Sequence, residues 1–204
     1  MRPAHPAAPF ALACAMMLAL AGSSACAGER SVRELVEARC QNCHGMEGQS
    51  SSPNYPKLAS QNAEYLQRQM FNFKLGKRRS TEMKAQVADL SAAEVQALAE
   101  YFSSKAVIAD VAFDPALADK GREIYLNGNR DTGVTACATC HGPRAHGALF
   151  LPRLAGQHAS YIERQIHAFI DRTRQAPDMV MHSVVTALTE DEIVALGQYL
   201  SGID

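Results

Sequence analysis

The sequence predicts an all-α protein made of two tandem helical domains, and three observations carry that prediction. The later part of the chain repeats the earlier part. Apolar residues recur at helical spacing after recognisable helix starts, and no segment alternates apolar and polar residues as a half-buried strand does. The repeat is explicit: Tyr55 to Gln69 aligns with Leu151 to Gln165 at a constant offset of 96, sharing Pro56/Pro152, Leu58/Leu154, Gln61/Gln157, Tyr65/Tyr161 and Gln69/Gln165. Further on, Leu90 to Tyr101 aligns with Leu188 to Tyr199 at an offset of 98. The sequence is a tandem duplication with small loop differences.

In chain order, residues 1–27 stand apart. Arg2 precedes an apolar run from Phe10 to Ala21 and then small residues through Ala27, the layout of a secretory signal peptide cut before Gly28. The run is shorter than the roughly 20 residues needed to span a bilayer. A lipoprotein cut before Cys26 would want a large aliphatic residue three places earlier, where Ser23 stands. An N-terminal domain is expected over 28–102, a linker over 103–114 and a C-terminal domain over 115–204. The first helix of each, near Glu29–Cys40 and Ala116–Leu126, carries Val32, Leu35 and Val36 or Leu117, Ile124 and Tyr125, the second after an Asp114-Pro115 start. Middle helices are expected near Asn62–Leu75 and His158–Asp171. The last helices open with capping boxes, Ser91 with Glu94 and Thr189 with Glu192, in which hydroxyl and carboxylate satisfy each other's exposed backbone donors. The linker mixes polar residues with Val107, Ile108 and Val111, a composition suited to packing along a domain.

The 204 residues are 47% hydrophobic and 20% charged, ordinary for a globular chain, with a net charge of -1. No basic excess is available to hold phosphate backbones, which excludes nucleic acid as a partner. Residues 28–104 hold ten Lys/Arg and nine Asp/Glu, whereas 105–204 hold nine and twelve, so the two halves differ in sign. Each domain is small enough for a protein-only core to be thin, which points toward a buried prosthetic group.

Of six cysteines, Cys14 and Cys26 leave with the signal peptide, and the remaining four stand in Cys40-Gln41-Asn42-Cys43-His44 and Cys137-Ala138-Thr139-Cys140-His141. Both are Cys-x-x-Cys-His, the attachment pattern of c-type haem. Two thiols three positions apart can form thioethers with the two vinyl groups of one porphyrin, and the next residue presents imidazole to the iron. A zinc ribbon would bring its cysteine pairs within roughly 15–20 residues, and a thioredoxin-like dithiol would need a strand–helix setting. Here the pairs lie 97 apart, each with its own histidine and its own copy of the helical plan. Two covalent haem c groups are therefore expected, with His44 and His141 as proximal iron ligands.

The sixth ligands must come from elsewhere. Met46 follows His44 too closely to reach the opposite haem face, and Met70 aligns with Ile166. Met83 lies seven residues before Leu90, and Met181 lies seven before Leu188, so the downstream register pairs these two methionines. The upstream register pairs Met83 with Met179 instead. Met181 is preferred, because the ligand loop feeds into the final helix. A packing role for both methionines, with other ligation at iron, is the alternative. His146, His158, His167 and His182 have no histidine at the matched first-half positions, and His146 is the rival ligand among them. The carbonyls of Pro56 and Pro152 are candidates to accept the proximal imidazole N–H. Arg78, Arg79, Arg172 and Arg174 precede the methionines and are candidates to pair with haem propionates.

With its two Cys-x-x-Cys-His-Gly motifs, paired Pro-x-Leu-Ala-x-Gln segments, paired Arg-Gln helices and methionines followed by Leu-Ser/Thr-x-x-Glu, the chain resembles the dihaem cytochrome c4 family over nearly all of its length after residue 27. Ser60 departs from the pattern, standing where Gly156 occupies the second copy. The resemblance implies two cytochrome c-like domains in pseudo-twofold relation, His/Met ligation by His44 with Met83 and His141 with Met181, and electron transfer in the periplasm. The expected function is an electron carrier of a respiratory chain, feeding a terminal oxidase, and not itself an enzyme. The alternative is the dihaem electron-accepting subunit of a flavocytochrome c sulfide dehydrogenase-type enzyme. Expected partners are redox proteins: a membrane oxidase, a quinol-oxidising complex or a dehydrogenase, with room for peripheral membrane association.

Overall fold

The computed structural model describes Met1 and residues 30–111, 114–174 and 179–204. The expected signal peptide, with Cys14 and Cys26, lies outside these. Among the described residues there are ten α-helices, no strand beyond two isolated bridges, and no helix long and apolar enough to cross a membrane.

The first half opens with α1 (Val32–Leu35), a π-helical turn over Val36–Cys40 and α2 (Gln41–His44). Ser31 caps α1 and forms a reciprocal box with Glu34, a start the sequence reading missed. Then come α3 (Ala63–Lys74), α4 (Thr81–Val87) and α5 (Ala92–Ser103). The second half repeats the plan with α6 (Pro115–Asn127), α7 (Ala138–His141), α8 (Ala159–Ile170), α9 (Val180–Val185) and α10 (Glu190–Ser201). Asp114 caps α6 by accepting from the Ala116 and Leu117 amides, with Pro115 at the first helical position, where its missing N–H costs nothing. The short α4 and α9 occupy stretches read from sequence as loops. Where the first half runs helically into its Cys-His motif, α6 stops at Gly128, and a bridge between Asn129 and Val134 intervenes before α7.

Each half has its own core. Leu35, Val36, Leu66, Phe73, Val95, Leu98 and Phe102 fill the first, and Ile124, Tyr125, Ile162, Phe169, Ile193, Leu196 and Leu200 fill the second. In the second half α6 and α10 cross at Gly121, where a β-carbon would overlap the Ala195 carbonyl. Only glycine admits so close an approach.

The final helices are anchored at their capping glutamates by different chemistry. Arg30 donates to both oxygens of Glu94, at 2.6 and 2.9 Å, whereas Glu192 accepts from the Asn129 amide at 2.7 Å. Hydrogen bonds from Arg30 and the Ser91 backbone pull the Glu94 pKa down from the ordinary 4.5 to about 2. A carboxylate whose folded pKa lies below its unfolded value stabilises above the unfolded pKa, and that stabilisation is lost as pH falls through the folded one. The thermal midpoint of the first half is therefore expected to drop as pH falls from about 4.5 to about 2. In Glu94→Gln the drop over this window should shrink, as followed by circular dichroism melts across the acid range.

The halves pack through a pseudo-twofold interface made by the repeated residues. Gln61 holds both backbone groups of Arg153, donating to its carbonyl at 2.9 Å and accepting its amide at 2.7 Å. Gln157 does the same for Lys57, at 2.9 Å each way. One residue on, Asn62 donates to the His146 and Leu151 carbonyls, while His158 Nε2 lies 2.9 Å from the Ser50 carbonyl. Backbone groups at the seam are thus satisfied across it, as buried polar groups require.

The linker is packed rather than free. The Ser60 hydroxyl donates to the Lys105 carbonyl at 2.7 Å, Gln49 holds Ala106 and Ile108, and the buried Lys57 ammonium reaches the Ile108 carbonyl and Asp110 at 2.6 and 2.7 Å. Ser60 has φ +55° and Gly156 φ +73°, so both copies of the turn are left-handed. Serine accepts the strain in the first copy and supplies a strap for the linker. In the second copy a β-carbon would press to 3.0 Å from Val107 of the same linker.

Candidate cofactor site

One cavity of about 1250 Å³ extends through both halves. It exceeds the roughly 300–1,000 Å³ of a pocket for a drug-sized ligand. Cys40, Cys43, His44 and Met83 line it in the first half, and Cys137, Cys140, His141 and Met181 in the second. Each Cys-x-x-Cys-His segment sits on a single helical turn closed by a left-handed glycine, Gly45 at φ +76° and Gly142 at φ +78°. The turn carries both thiols and the imidazole of a half to the cavity wall.

The imidazoles are oriented by backbone. His44 Nδ1 lies 2.9 Å from the Pro56 carbonyl, and His141 Nδ1 lies 3.1 Å from that of Pro152. A carbonyl can only accept, so Nδ1 carries the proton and Nε2 keeps its lone pair. Burial lowers the pKa of both rings, partly opposed by these hydrogen bonds, and favours the neutral, ligand-competent form. Cys40, Cys43, Cys137 and Cys140 form no disulfide, and before any thioether forms burial pushes the Cys40 and Cys137 thiols up to about 11.

The two methionine registers separate in space. Met83 and Met181 line the cavity and pack against the cores of their halves. Met179 is the left-handed N-cap of α9, at φ +58°, and is not among the lining residues. Met46 is also absent from the lining. Met70 reaches the cavity, but its counterpart Ile166 lines the same region of the second half.

Of the other described histidines, three make structural contacts. His158 is buried between Asp110, 3.1 Å from Nδ1, and Ser50. His167 faces Glu190 at 3.1 Å. His182 donates from Nδ1 to the Phe169 carbonyl and accepts from Arg172 at Nε2. The Nε2 of His146 is buried without a hydrogen-bond partner, away from the cavity lining.

A polar floor, of which the sequence reading named only Arg78 and Arg174, lies where the halves meet. Arg78 donates to Gln69 in its own half and to Tyr161 and Gln165 across the seam, at 2.9, 2.9 and 3.0 Å. Arg174 mirrors it, donating to Gln165 at 2.5 Å and to Tyr65 at 2.6 Å. All six side chains line the cavity. Burial opposes ionisation of Tyr161, but the neighbouring Arg78 and Arg174 charges outweigh it and lower its pKa. The signal for this network was the identity of both copies at Tyr65/Tyr161 and Gln69/Gln165, polar residues that core packing does not require. Of the other arginines proposed from sequence, Arg79 stands on the rim, whereas Arg172 is engaged with His182.

Residues 27–102 match the family model for cytochrome c oxidase, cbb3-type, subunit III, and residues 118–204 match that for cytochrome c. A cytochrome c4 of Pseudomonas aeruginosa is 34% identical, covering 92% of this chain and 95% of that protein. The chain belongs to the cytochrome c4 family. The crystal structure of reduced recombinant cytochrome c4 from Pseudomonas stutzeri superposes with a TM-score of 0.80 at 34% identity, covering 85% of this chain and 97% of that one. A thiosulfate dehydrogenase electron acceptor of Thiomonas intermedia is 37% identical, over 80% of this chain and 78% of that protein. As a family member this is an electron-transfer protein and not an enzyme, all-α, with two tandem cytochrome c domains. Cytochrome c domains bind haem c covalently, and the residues here fit that group: paired thiols, an imidazole with a bare Nε2, apolar walls and an arginine floor for acidic substituents.

Proposed function

We propose that the protein is a periplasmic two-haem electron carrier that passes electrons between redox proteins of a respiratory chain, toward a terminal oxidase. The carrying observation is that one cavity receives a complete set of Cys, Cys, His and Met from each half. In this reading Cys40 and Cys43, and Cys137 and Cys140, form the thioethers. His44 with Met83, and His141 with Met181, would hold the iron of each half through nitrogen and sulfur. Bound haem supplies one-electron iron redox chemistry. The protein's own part is to hold the imidazoles in one tautomer through Pro56 and Pro152, to present thioether sulfur, which raises reduction potential relative to a second imidazole, and to exclude water. Arg78 and Arg174 neutralise carboxylates at the seam, where each guanidinium is already oriented by tyrosine and glutamine.

A second reading is favoured by the thiosulfate dehydrogenase electron acceptor among the relatives. Here the same two sites would take electrons from a dehydrogenase, as an acceptor or as a subunit bound to it. The flavocytochrome-type subunit role belongs to this class. Copurification with a dehydrogenase from the native cells would select it over the free carrier.

Intact mass spectrometry tests the cofactor count. After cleavage before Gly28, the secreted protein should exceed the 28–204 polypeptide by two haem masses when made in cells competent for cytochrome maturation. An excess of one haem, or none, would overturn the two-site reading.

A further inference from the structure

The two methionine-bearing helices are fastened differently. In the first half, Arg39 stands one residue before Cys40 and reaches the far end of α4. Its guanidinium donates to the Gln86 carbonyl at 3.0 Å and to both oxygens of Asp89, at 2.5 and 2.9 Å. These bonds hold the Asp89 carboxyl well below the ordinary carboxylate range, so the pair persists through neutral and mildly acidic pH. Arg30 adds a bond to the same carboxylate at 3.2 Å, and the Lys74 ammonium holds the Leu90 carbonyl at 2.5 Å. At the near end of α4, the Ser80 hydroxyl caps the helix by accepting from the amide of Met83 itself, at 3.1 Å. Arg39, Met83 and Gln86 all line the cavity, so the clamp ties the wall carrying Cys40, Cys43 and His44 to the wall carrying the sulfur.

The second copy lacks these fastenings at the matched positions. Ala136 stands before Cys137 as Arg39 does before Cys40, Ala187 matches Asp89 at the downstream offset, and Ile170 matches Lys74 at the upstream one. Helix α9 starts at Met179, which is left-handed and supplies no side-chain cap. Its tie is His182, which donates from Nδ1 to the Phe169 carbonyl and accepts from Arg172 at Nε2, both on the α8 side. The hydroxyls of Ser183 and Thr186 bond within α9 and its cap. Among the described residues, no side chain of the segment that carries Cys137, Cys140 and His141 hydrogen-bonds to α9.

We propose that Arg39 and Asp89 are positioning residues that lock Met83 in place, and that the second half, which lacks the lock, is the site that opens to a small neutral ligand of ferrous iron, of the carbon monoxide class. This rests on the reading of Met83 and Met181 as the sulfur donors. A thioether stays in place only as long as the helix that carries it does, and a short helix with few fastenings opens locally at the low end of the stability range. When Met181 swings out, the incoming molecule takes its position. One bond from sulfur to iron breaks, one from carbon to iron forms, and no electron or proton changes hands. Capture then scales with the fraction of time each helix is open. The carrier thus has one closed site and one that a dissolved gas can occupy.

The test is stopped-flow mixing of the fully reduced holoprotein with carbon monoxide, whose neutrality keeps charge substitutions from acting on the ligand itself. Two phases are expected, about tenfold or more apart in rate, reflecting the extra ion pair and helix cap of the first half. The faster phase should be absent in Met181→His and the slower in Met83→His. Arg39→Gln and Asp89→Asn should each speed the slower phase by about fivefold, a scale kept moderate by the 58% exposure of Asp89, and leave the faster phase unchanged. Arg33→Gln removes the same charge from an exposed α1 pair with Glu37 that touches neither helix, and should change neither phase. Equal rates at the two sites, faster capture at the first, or an equal effect of Arg33→Gln would overturn the proposal. Amide hydrogen exchange of the holoprotein separates a lost lock from a loosened domain. In wild type, 180–185 should exchange faster than 81–87, and in Arg39→Gln the acceleration should be confined to 81–90, with α3 and α5 unchanged. Wild-type α4 exchanging as fast as α9, or uniform acceleration of the first half in both Arg39→Gln and Asp89→Asn, would overturn the lock. Absence of the sulfur-to-iron charge-transfer band from either wild-type site would instead remove the ligand assignment on which the proposal rests.

Discussion

Met83→His lowers the reduction potential of one haem by a few tenths of a volt, within the roughly 0.8 V range that axial ligands span, and leaves the other nearly unchanged. Met181→His does the same to the opposite site. Imidazole stabilises ferric iron better than thioether does, and each methionine reaches the cavity from its own half. Met179→Ala has little effect, because Met179 caps α9 from outside the lining. Spectroelectrochemical titration resolves the two sites, and the sulfur-to-iron charge-transfer band reports each ligand separately. Loss of that band in Met179→Ala with retention in Met181→Ala would reverse the second-half assignment.

Gly121→Ala destabilises the second half by about 3 kcal/mol or more. A β-carbon at that position overlaps the Ala195 carbonyl and crowds the Tyr199 side chain at 2.9 Å, and both lie on the facing helix. Overpacking in a close-packed core typically costs about 1–3 kcal/mol, and the obstacle here is backbone, which cannot rotate away. The α6–α10 crossing must therefore open, shifting Ile124 and Tyr125 against Ile193 and Leu196. Gly142→Ala is the informative contrast, since its β-carbon would meet nothing within 4 Å but would be strained at φ +78°. Its cost should be about 1–3 kcal/mol, all of it backbone strain. Denaturant unfolding of the two variants, followed by circular dichroism, compares steric overlap with backbone strain.

The repeat made the fold legible. Once Tyr55–Gln69 and Leu151–Gln165 were aligned, each capped helix in one copy corroborated its counterpart, and α3, α5, α8 and α10 lie within a residue or two of expectation. The short α4 and α9 escaped because six or seven residues make too few turns to establish a period. The Cys-His motifs were legible because their chemistry is local. Met181 was preferred over Met179 on the downstream register alone, and in the structure Met181 lines the cavity whereas Met179 does not; two residues on a helix differ by about 200° in direction, so a two-residue slip changes which sulfur faces inward. The cross-seam contacts of Gln61, Gln157, Arg78 and Arg174 join residues 83 to 109 apart. Periodicity carries no information about such pairs.

The glutamine clasp has a consequence for how the molecule is assembled. Gln61 and Gln157 are the same residue in two copies, each closing on the backbone of the other copy, which is the self-complementary contact of a twofold homodimer written within one chain. Two separate copies would meet only as often as their concentration allowed, and dilution would part them. Joined by the strapped linker, they face each other at an effective concentration in the millimolar range, whatever the amount of protein present. Spacing between the redox sites is thereby protected from dilution, and the copies are free to diverge at their outer ends while the seam remains common to both.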